Sequence, residues 1–459
     1  VTRAFDAIVV GAGQAGPSLA GRLTAAGMEV ALIERKLVGG TCVNTGCMPT
    51  KTLVASAYAA HAARRAADFG VTTGPVEIDM KGVEARARRV VQETRDNMEH
   101  WLAGMERLTL LRGHARFTGP KAMEVDGDEL TAPRVFLNVG GRAIVPEVAG
   151  LDTVPHLDNA DMVALDRVPQ HLVVVGGSYV GLEFAQMYRR FGGQVTVVER
   201  NDRLISREDS DVSESIRAIL EDEGITVRTG ANCIALAPHG RGVAVSLDCF
   251  QGAPVIFGSD VLLAVGRRPN TDDLGLDKAG IATDARGYIT VDERLETNVA
   301  GIWALGDCNG RGAFTHTAYN DFEIVAANLL DGEDRRLSQR IPGYALYIDP
   351  PLGRAGMSET EARNLGRPIL VSKRPMARVG RAIEKGETKG FMKIVADAET
   401  KRILGAAILG TGGDEAIHGV IDMMSADQPI SALRWAVPVH PTVSELIPTV
   451  LLGLKEPDR

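Results

Sequence analysis

What this 459-residue sequence has little of limits it before any motif is read. Aromatic residues are scarce, at 5%, and no apolar run approaches the roughly 18 to 20 residues needed to cross a bilayer. Stretches such as Leu172 to Val175 or Val261 to Val265 have strand length and end in glycine or charge, so no membrane partner is expected. Basic residues are in deficit: 51 Lys and Arg against 59 Asp and Glu leave a formal net charge of −8. That excludes the cationic field that holds nucleic acid. The opening VTRAFDAIVVGAG has no charged segment, long apolar run and cleavage site in succession, so no secretory leader is expected and the chain is placed in the cytoplasm. Cysteine numbers only five, which argues against a disulfide-stapled scaffold.

Glycine, by contrast, is abundant at 51 residues, and two of the five cysteines lie close together in GGTCVNTGCMPTK. In a reducing compartment a pair spaced like Cys42 and Cys47 suits redox catalysis or metal binding; the competing reading is two small buried hydrophobes. Cys233, Cys249 and Cys308 have no near partner and are read as buried hydrophobes. No set of residues has metal-ligand spacing, so no metal site is expected.

One pattern occurs twice. Residues 7 to 35 and residues 172 to 200 each read as a buried strand, a glycine-rich turn, a helix and a second strand ending in an acid. Gly11 to Glu34 spans 23 positions, and so does Gly176 to Glu199. A lone GxGxxG is weak, but following a strand, opening a helix and meeting an acid, twice, it predicts two dinucleotide-binding βαβ units. Gly11 permits the tight turn, Gly13 the approach of a pyrophosphate, and Gly16 close packing of helix on strand. Glu34 suits the adenosine ribose. Gly176, Gly177 and Gly181 repeat the arrangement, with Ser178 where the middle glycine usually stands. Between the units a charged amphipathic helix is predicted over 83 to 102, and after them one over about 320 to 330. From about residue 338 strands alternate, with a helix from about Asp414 to Met424, which predicts a separate α+β domain.

The glycine fingerprint, GGTCVNTGC, GRRPN, ALGD and the terminal HPTVSE, in that order, resemble the class I flavoprotein disulfide reductases (pyridine nucleotide-disulfide oxidoreductases) over essentially the whole chain. The resemblance is greatest to the mercuric-reductase-like group. It implies an α/β fold with two Rossmann-like domains and a C-terminal α+β dimerisation domain. FAD would be held by 1–150 and 270–337, NAD(P)H by 151–269, and a homodimer formed through 338–459. It makes Cys42 the thiol that attacks the acceptor and Cys47 the charge-transfer thiol beside the flavin. Lys51 and Glu183 become a pair near the flavin, Tyr179 the ring that covers it, and Asp307 the acid on its ribityl chain. His440, held by Glu445, becomes the base that reaches the partner's Cys42. Cofactor contacts extend to Arg35, Gly40 and Thr41 for FAD and to Arg200 and Gly266 for NAD(P)H. Glu199 suits the two ribose hydroxyls of NADH, favoured modestly because Arg200, Arg203 and Arg207 stand near enough to offset its repulsion of a phosphate.

The chain departs from mercuric reductase proper and from large thioredoxin reductases by ending LLGLKEPDR, without a terminal cysteine pair. Glutathione reductases carry arginines where Gly21 and Glu323 stand. The resulting expectation is an FAD-dependent enzyme passing electrons from NAD(P)H through Cys42 and Cys47 to a disulfide or metal-ion acceptor. Alternatives are a dihydrolipoamide dehydrogenase-like enzyme, a flavin NADH oxidase or diaphorase, and a non-catalytic redox sensor.

Overall fold

The computed structural model describes residues 2–248, 254–366, 368–433 and 435–457. Its first sheet has five parallel strands in the order Ile302–Ala304, Arg134–Leu137, Ala7–Val10, Val30–Glu34, Leu108–Arg112. Ala7–Val10 and Val30–Glu34 are buried along their whole length. Apolar residues occur in succession rather than in alternation because both faces are covered: Ala7, Val9 and Leu32 pack with Leu19, Leu23 and Phe322 of helices, and Ile8, Val10 and Ile33 pack with Phe117, Met123 and Leu130 of strands. The Gly16–Ala25 helix makes the crossover, so the glycine turn lies at the carboxyl end of the strands, where such sheets bind ligands. A second, four-stranded sheet (Thr2–Ala4, Asp128–Thr131, Ala122–Val125, Ala115–Gly119) flanks it.

The second unit repeats this design with parallel strands in the order Thr226–Arg228, Gln194–Val198, His171–Val175, Asp260–Leu263. An antiparallel sheet of Cys233–His239, Gly242–Asp248 and Val255–Gly258 lies alongside in sequence. The unit is an insertion: the chain leaves the first sheet after Leu137 and returns to it at Ile302. On the way out and back, Gly141–Ala143 and Arg267–Pro269 pair antiparallel. The C-terminal part is a five-stranded antiparallel sheet in the order Gly343–Leu346, Leu352–Gly356, Ile403–Leu409, Phe391–Asp397, Ile369–Pro375.

Two helices differ from expectation in ways that matter later. The one expected from about residue 320 begins at Thr315 and runs to Leu330. Its first turn is tied by Thr317, whose hydroxyl accepts from Phe314 N at 3.1 Å and lies 2.8 Å from the Phe314 carbonyl. That local bonding offsets the weak helix preference of the threonines. The helix expected from Asp414 to Met424 is two short ones, Gly413–Ala416 and His418–Ser425, meeting at Ile417. The charged helix runs Met80–Ala103, capped by Asp79, whose carboxylate accepts from Gly82 N at 3.1 Å.

Cys308 is wholly buried, its thiol 3.3 Å from Leu305 O and 3.4 Å from Leu137 O, and burial pushes it up to about 12. It is inert at neutral pH. Cys249 lies outside the described residues, and of Cys233 only the backbone is described, at the start of its strand. Among the described residues no helix is long and apolar enough to cross a membrane.

Candidate active site

The two glycine turns are built alike. Gly11 has φ +105°, and a β-carbon there would sit 2.2 Å from the carbonyl oxygen of Asn138; Gly176 has φ +116°, with Ala264 O at 2.3 Å. A β-carbon on Gly16 would meet Gly11 O at 2.0 Å, and one on Gly181 would meet Gly176 O at 2.1 Å. Each helix is therefore pressed against its strand at a distance only glycine allows. Ser178 takes φ −115°, ψ −171°, an extended backbone that tolerates a β-carbon, so its departure from the usual glycine carries no strain. Neither the Gly16–Ala25 nor the Tyr179–Arg190 helix has a side-chain cap or an acid in its first turn. The absence of an acid there leaves the positive end of each helix open to a phosphate, although in the first helix Gly16 N already donates to Asn138 and Pro17 has no N–H.

The acids close each turn. Glu34 accepts from Ala12 N at 2.8 Å and Lys36 N at 2.7 Å; Glu199 accepts from Gly177 N at 2.7 Å and Asn201 N at 2.8 Å. A carboxylate offers about four acceptor positions, so Glu34 keeps capacity for ribose hydroxyls, and Glu199, which also accepts from Asn201 Nδ2 at 2.5 Å, keeps less. A β-carbon on Gly40, at φ +60°, would lie 2.9 Å from Gly13 Cα, so the cysteine-bearing segment and the first glycine turn approach backbone to backbone. Asn138, read from sequence only as part of a boundary, ties the turn together: its side chain accepts from Gly16 N at 3.0 Å and donates to Leu305 O at 3.0 Å. These features fit a dinucleotide in each unit.

Cys42 lies in the short Gly40–Asn44 helix, and Cys47 is the first residue of Cys47–Arg64. Both are free thiols. Gly46 makes the fold-back between them possible, since a β-carbon there would lie 2.8 Å from Thr41 O. The Cys42 thiol donates to Cys47 sulfur, and this bond, with further help from Thr315 and Lys51, brings Cys47 down to about 6 against the opposing effect of burial. The same bond, then burial and the charge on Cys47, push Cys42 far upward. The surroundings thus favour negative charge on Cys47 over Cys42.

Thr315 was not foreseen: its hydroxyl lies 3.2 Å from Cys47 Sγ, across 268 positions of sequence. Thr315→Val removes the donor and keeps the shape. The expected result is a rise of about one unit in the Cys47 thiolate midpoint, the size of one hydrogen bond to a charged group. Thiolate absorbance of the reduced protein against pH reads this, and an unmoved midpoint would show that the hydroxyl donates elsewhere.

One turn along, Lys51 Nζ donates to Glu183 Oε2 at 2.7 Å, with Glu183 only 6% exposed. Tyr179 sets its ring edge-on to Phe314 and Tyr344, with centroids 6.1 and 5.2 Å apart, and burial pushes its hydroxyl up to about 12. Asp307 lies beside Arg267, at 3.4 Å; burial raises its pKa and the arginine works against that. Of the remaining expected contacts, Arg35 pairs with Asp273 at 2.8 Å, Arg200 is exposed, Thr41 is half-buried, and Gly266 has φ +123°.

His440 and Glu445 form the expected dyad, Nδ1 to Oε2 at 2.9 Å, with the imidazole 78% exposed and the carboxylate 13%. Among the described residues no hydrogen bond or ion pair joins this dyad to the cysteines of its own chain. The approach to it is apolar and exposed at Trp435, Val437 and Val439. One chain therefore brings together Cys42, Cys47, Lys51 and Glu183, and presents His440 outward.

The sequence pattern of the pyridine nucleotide-disulphide oxidoreductases matches residues 5–321, and that of their dimerisation domain residues 342–451. RclA of Escherichia coli, a probable pyridine nucleotide-disulfide oxidoreductase, is 36% identical over 451 residues, spanning 96% of this chain and 97% of its own. A dihydrolipoyl dehydrogenase of Thermus scotoductus is 34% identical over 445 residues, with 96% of each chain covered. A solved structure described as the Cu(II) complex of HOCl-induced flavoprotein disulfide reductase RclA superimposes with a TM-score of 0.89 at 34% identity, covering 98% of this chain and 99% of that one.

Proposed function

Because the chain belongs to the pyridine nucleotide-disulphide oxidoreductases, we propose that it is an FAD-dependent reductase that takes electrons from NAD(P)H and delivers them through Cys42 and Cys47 to a disulfide or metal-ion acceptor. The observation that carries this reading is the geometry around the two cysteines: a fold-back at Gly46 between them, the Thr315 hydroxyl 3.2 Å from Cys47 Sγ, and the Lys51–Glu183 pair one turn along at 2.7 Å, all of which favour negative charge on Cys47. An oxidase that hands electrons straight to oxygen has no need of such an arrangement, nor of the His440–Glu445 dyad.

Gly11, Gly13, Gly16, Glu34, Arg35, Gly40, Thr41 and Asp307 would hold FAD; Gly176, Gly177, Tyr179, Gly181, Glu199, Arg200 and Gly266 would hold NAD(P)H. The bound flavin supplies a two-electron relay between the nicotinamide and the cysteine disulfide. The chain's own residues do the rest. Lys51 and Thr315 favour the negative charge on Cys47. Cys42, held neutral, becomes a nucleophile only when a base takes its proton. His440 of the partner subunit, oriented by its glutamate, fills that role and returns the proton to the leaving group. The homodimer is thus part of the site, and residues 338–459 serve it, with FAD on 1–150 and 270–337 and the nicotinamide cofactor on 151–269.

The relatives bear on the acceptor without deciding it: one is described with bound Cu(II), another acts on a dihydrolipoyl group. Glu199 favours NADH, since its buried carboxylate would face the extra phosphate of NADPH. Anaerobic titration of the purified protein with each coenzyme tests the whole reading. A thiolate-to-flavin charge-transfer band at two-electron reduction is expected, with kcat/KM favouring NADH by about tenfold, or about 1.4 kcal/mol. Simple bleaching of the flavin would move the oxidase reading ahead, and a preference for NADPH would assign the nearby arginines the deciding role.

A further inference from the structure

The Lys51–Glu183 pair is gripped from a third part of the chain. Tyr347 lies in the connection between the C-terminal strands Gly343–Leu346 and Leu352–Gly356. Its backbone N–H donates to Glu183 Oε1 at 3.0 Å, and its ring centroid lies 4.7 Å from Lys51 Nζ. The other Glu183 oxygen takes Lys51 itself at 2.7 Å. The ammonium thus has a carboxylate and an aromatic face as its two neighbours, one from the Tyr179–Arg190 helix and one from the C-terminal sheet. Lys51 is 35% exposed, so its long stem has room to turn away. A cation over an aromatic face is attracted by the ring's quadrupole, and that attraction limits the room.

The surroundings tie this ring to the redox centre. The Tyr347 hydroxyl is raised first by burial and then by Asp414, Glu183, Cys47 and Glu415, so the negative charge of Cys47 reaches it. The charged and titratable groups acting with Cys47 are Cys42 from the preceding short helix, Lys51 from its own helix and Tyr347 from the C-terminal part, while the neutral Thr315 hydroxyl bonds it from the Thr315–Leu330 helix. Of these Lys51 is the cation, and among the described residues Glu183 and Tyr347 are the groups against its ammonium.

We propose that Tyr347 is a positioning residue for the redox centre: its ring, together with its backbone contact to Glu183, holds the Lys51 ammonium as a fixed positive charge beside Cys42 and Cys47. This rests on the reading of Cys47 as the thiolate of the pair. The backbone contact survives any substitution, so the ring's contribution can be isolated. Tyr347→Phe keeps an aromatic face and loses the hydroxyl; Tyr347→Leu loses the face; Tyr347→Met keeps the bulk without the face and replaces the leucine variant should that one fold poorly.

The measurement is the thiolate absorbance of the reduced holoenzyme against pH, alongside the rate of flavin reduction at saturating NADH. Tyr347→Leu is expected to move the Cys47 midpoint up by about half a unit to one unit and to slow reduction by about fivefold to tenfold, with KM changed less than about twofold. Tyr347→Phe is expected to match the unaltered protein in both. Lys51→Met is the control. If it shifts the midpoint and Tyr347→Leu does not, the ring does not position the lysine and the inference is overturned. If Tyr347→Phe behaves like Tyr347→Leu, the hydroxyl rather than the ring acts, which overturns it equally. If Lys51→Met itself leaves the midpoint in place, the underlying assignment of Lys51 as the charge acting on Cys47 falls first.

Discussion

Cys42→Ser is expected to lower acceptor turnover by about a thousandfold or more while leaving NAD(P)H-driven flavin reduction within about threefold of the unaltered enzyme. The two effects separate because the residues divide the work. In the proposed division Cys42 is the nucleophile that meets the acceptor, and its removal takes that nucleophile away. Cys47 keeps Lys51 and Thr315, and the serine hydroxyl at position 42 is still a donor, so the long-wavelength band is expected to persist. Cys47→Ser is expected to do the opposite to the spectrum, abolishing the band outright. Stopped-flow mixing with NADH, then with a small disulfide, reads both half-reactions. The sign of the pH dependence follows from the same bonds: a pKa held below the free thiol value means the thiolate is the folded form above about 6, so the band grows as pH rises through 6 and fades below it. A band retained in Cys47→Ser and lost in Cys42→Ser would exchange the two roles.

The second large effect belongs to His440. Its imidazole is anchored to Glu445 at 2.9 Å yet is 78% exposed, and among the described residues no hydrogen bond or ion pair joins it to the cysteines of its own chain. His440→Gln is expected to cost about a hundredfold to ten-thousandfold in turnover with a thiol-requiring acceptor, the usual range for a positioned general base. Flavin reduction should be unchanged, since no proton transfer at Cys42 is needed there. A mixed dimer provides the sharper result. Chains carrying Cys42→Ser, paired with chains carrying His440→Gln, each lack one function. If the base serves the opposite subunit, one of the two sites is intact, and turnover recovers to about half that of the unaltered dimer. If it served its own subunit, both sites would remain dead and the mixed dimer would be no better than its parents.

The parts of this site that could be read from the sequence are those whose residues are local. Gly11, Gly13 and Gly16 lie within one turn and the start of one helix, and the steric demand that makes each a glycine comes from the turn itself and the strand beside it. The acid ending the second strand lies a fixed distance on because one strand, one helix and one strand have a nearly fixed length. Cys42 and Cys47 are near neighbours for the same reason, as are His440 and Glu445. Even Ser178, which looked like a flaw in the second fingerprint, proves neutral once its extended backbone is seen.

What could not be read is contact between distant segments. Nothing near Thr315 marks it as a donor to Cys47; the helix start itself was placed several residues late, because Thr317 ties the first turn through bonds that helix preference does not register. Asn138 looked like a linker residue, yet it holds Gly16 and Leu305 together because two parallel strands bring it beside the glycine turn. Tyr347 is almost 300 positions from Lys51 and lies in a connection between strands of the C-terminal sheet.

The sequence by itself therefore determined that the chain has two nucleotide-binding βαβ units, a redox-suited cysteine pair and an acid-held histidine, since each is a short pattern with a local steric or chemical cause. Tertiary structure alone decided that the Thr315 hydroxyl meets Cys47, that Asn138 ties the first glycine turn, and what holds Lys51. Those outcomes depend on distances between segments hundreds of residues apart, and such distances are set by how sheets and crossovers pack rather than by any neighbour in the chain.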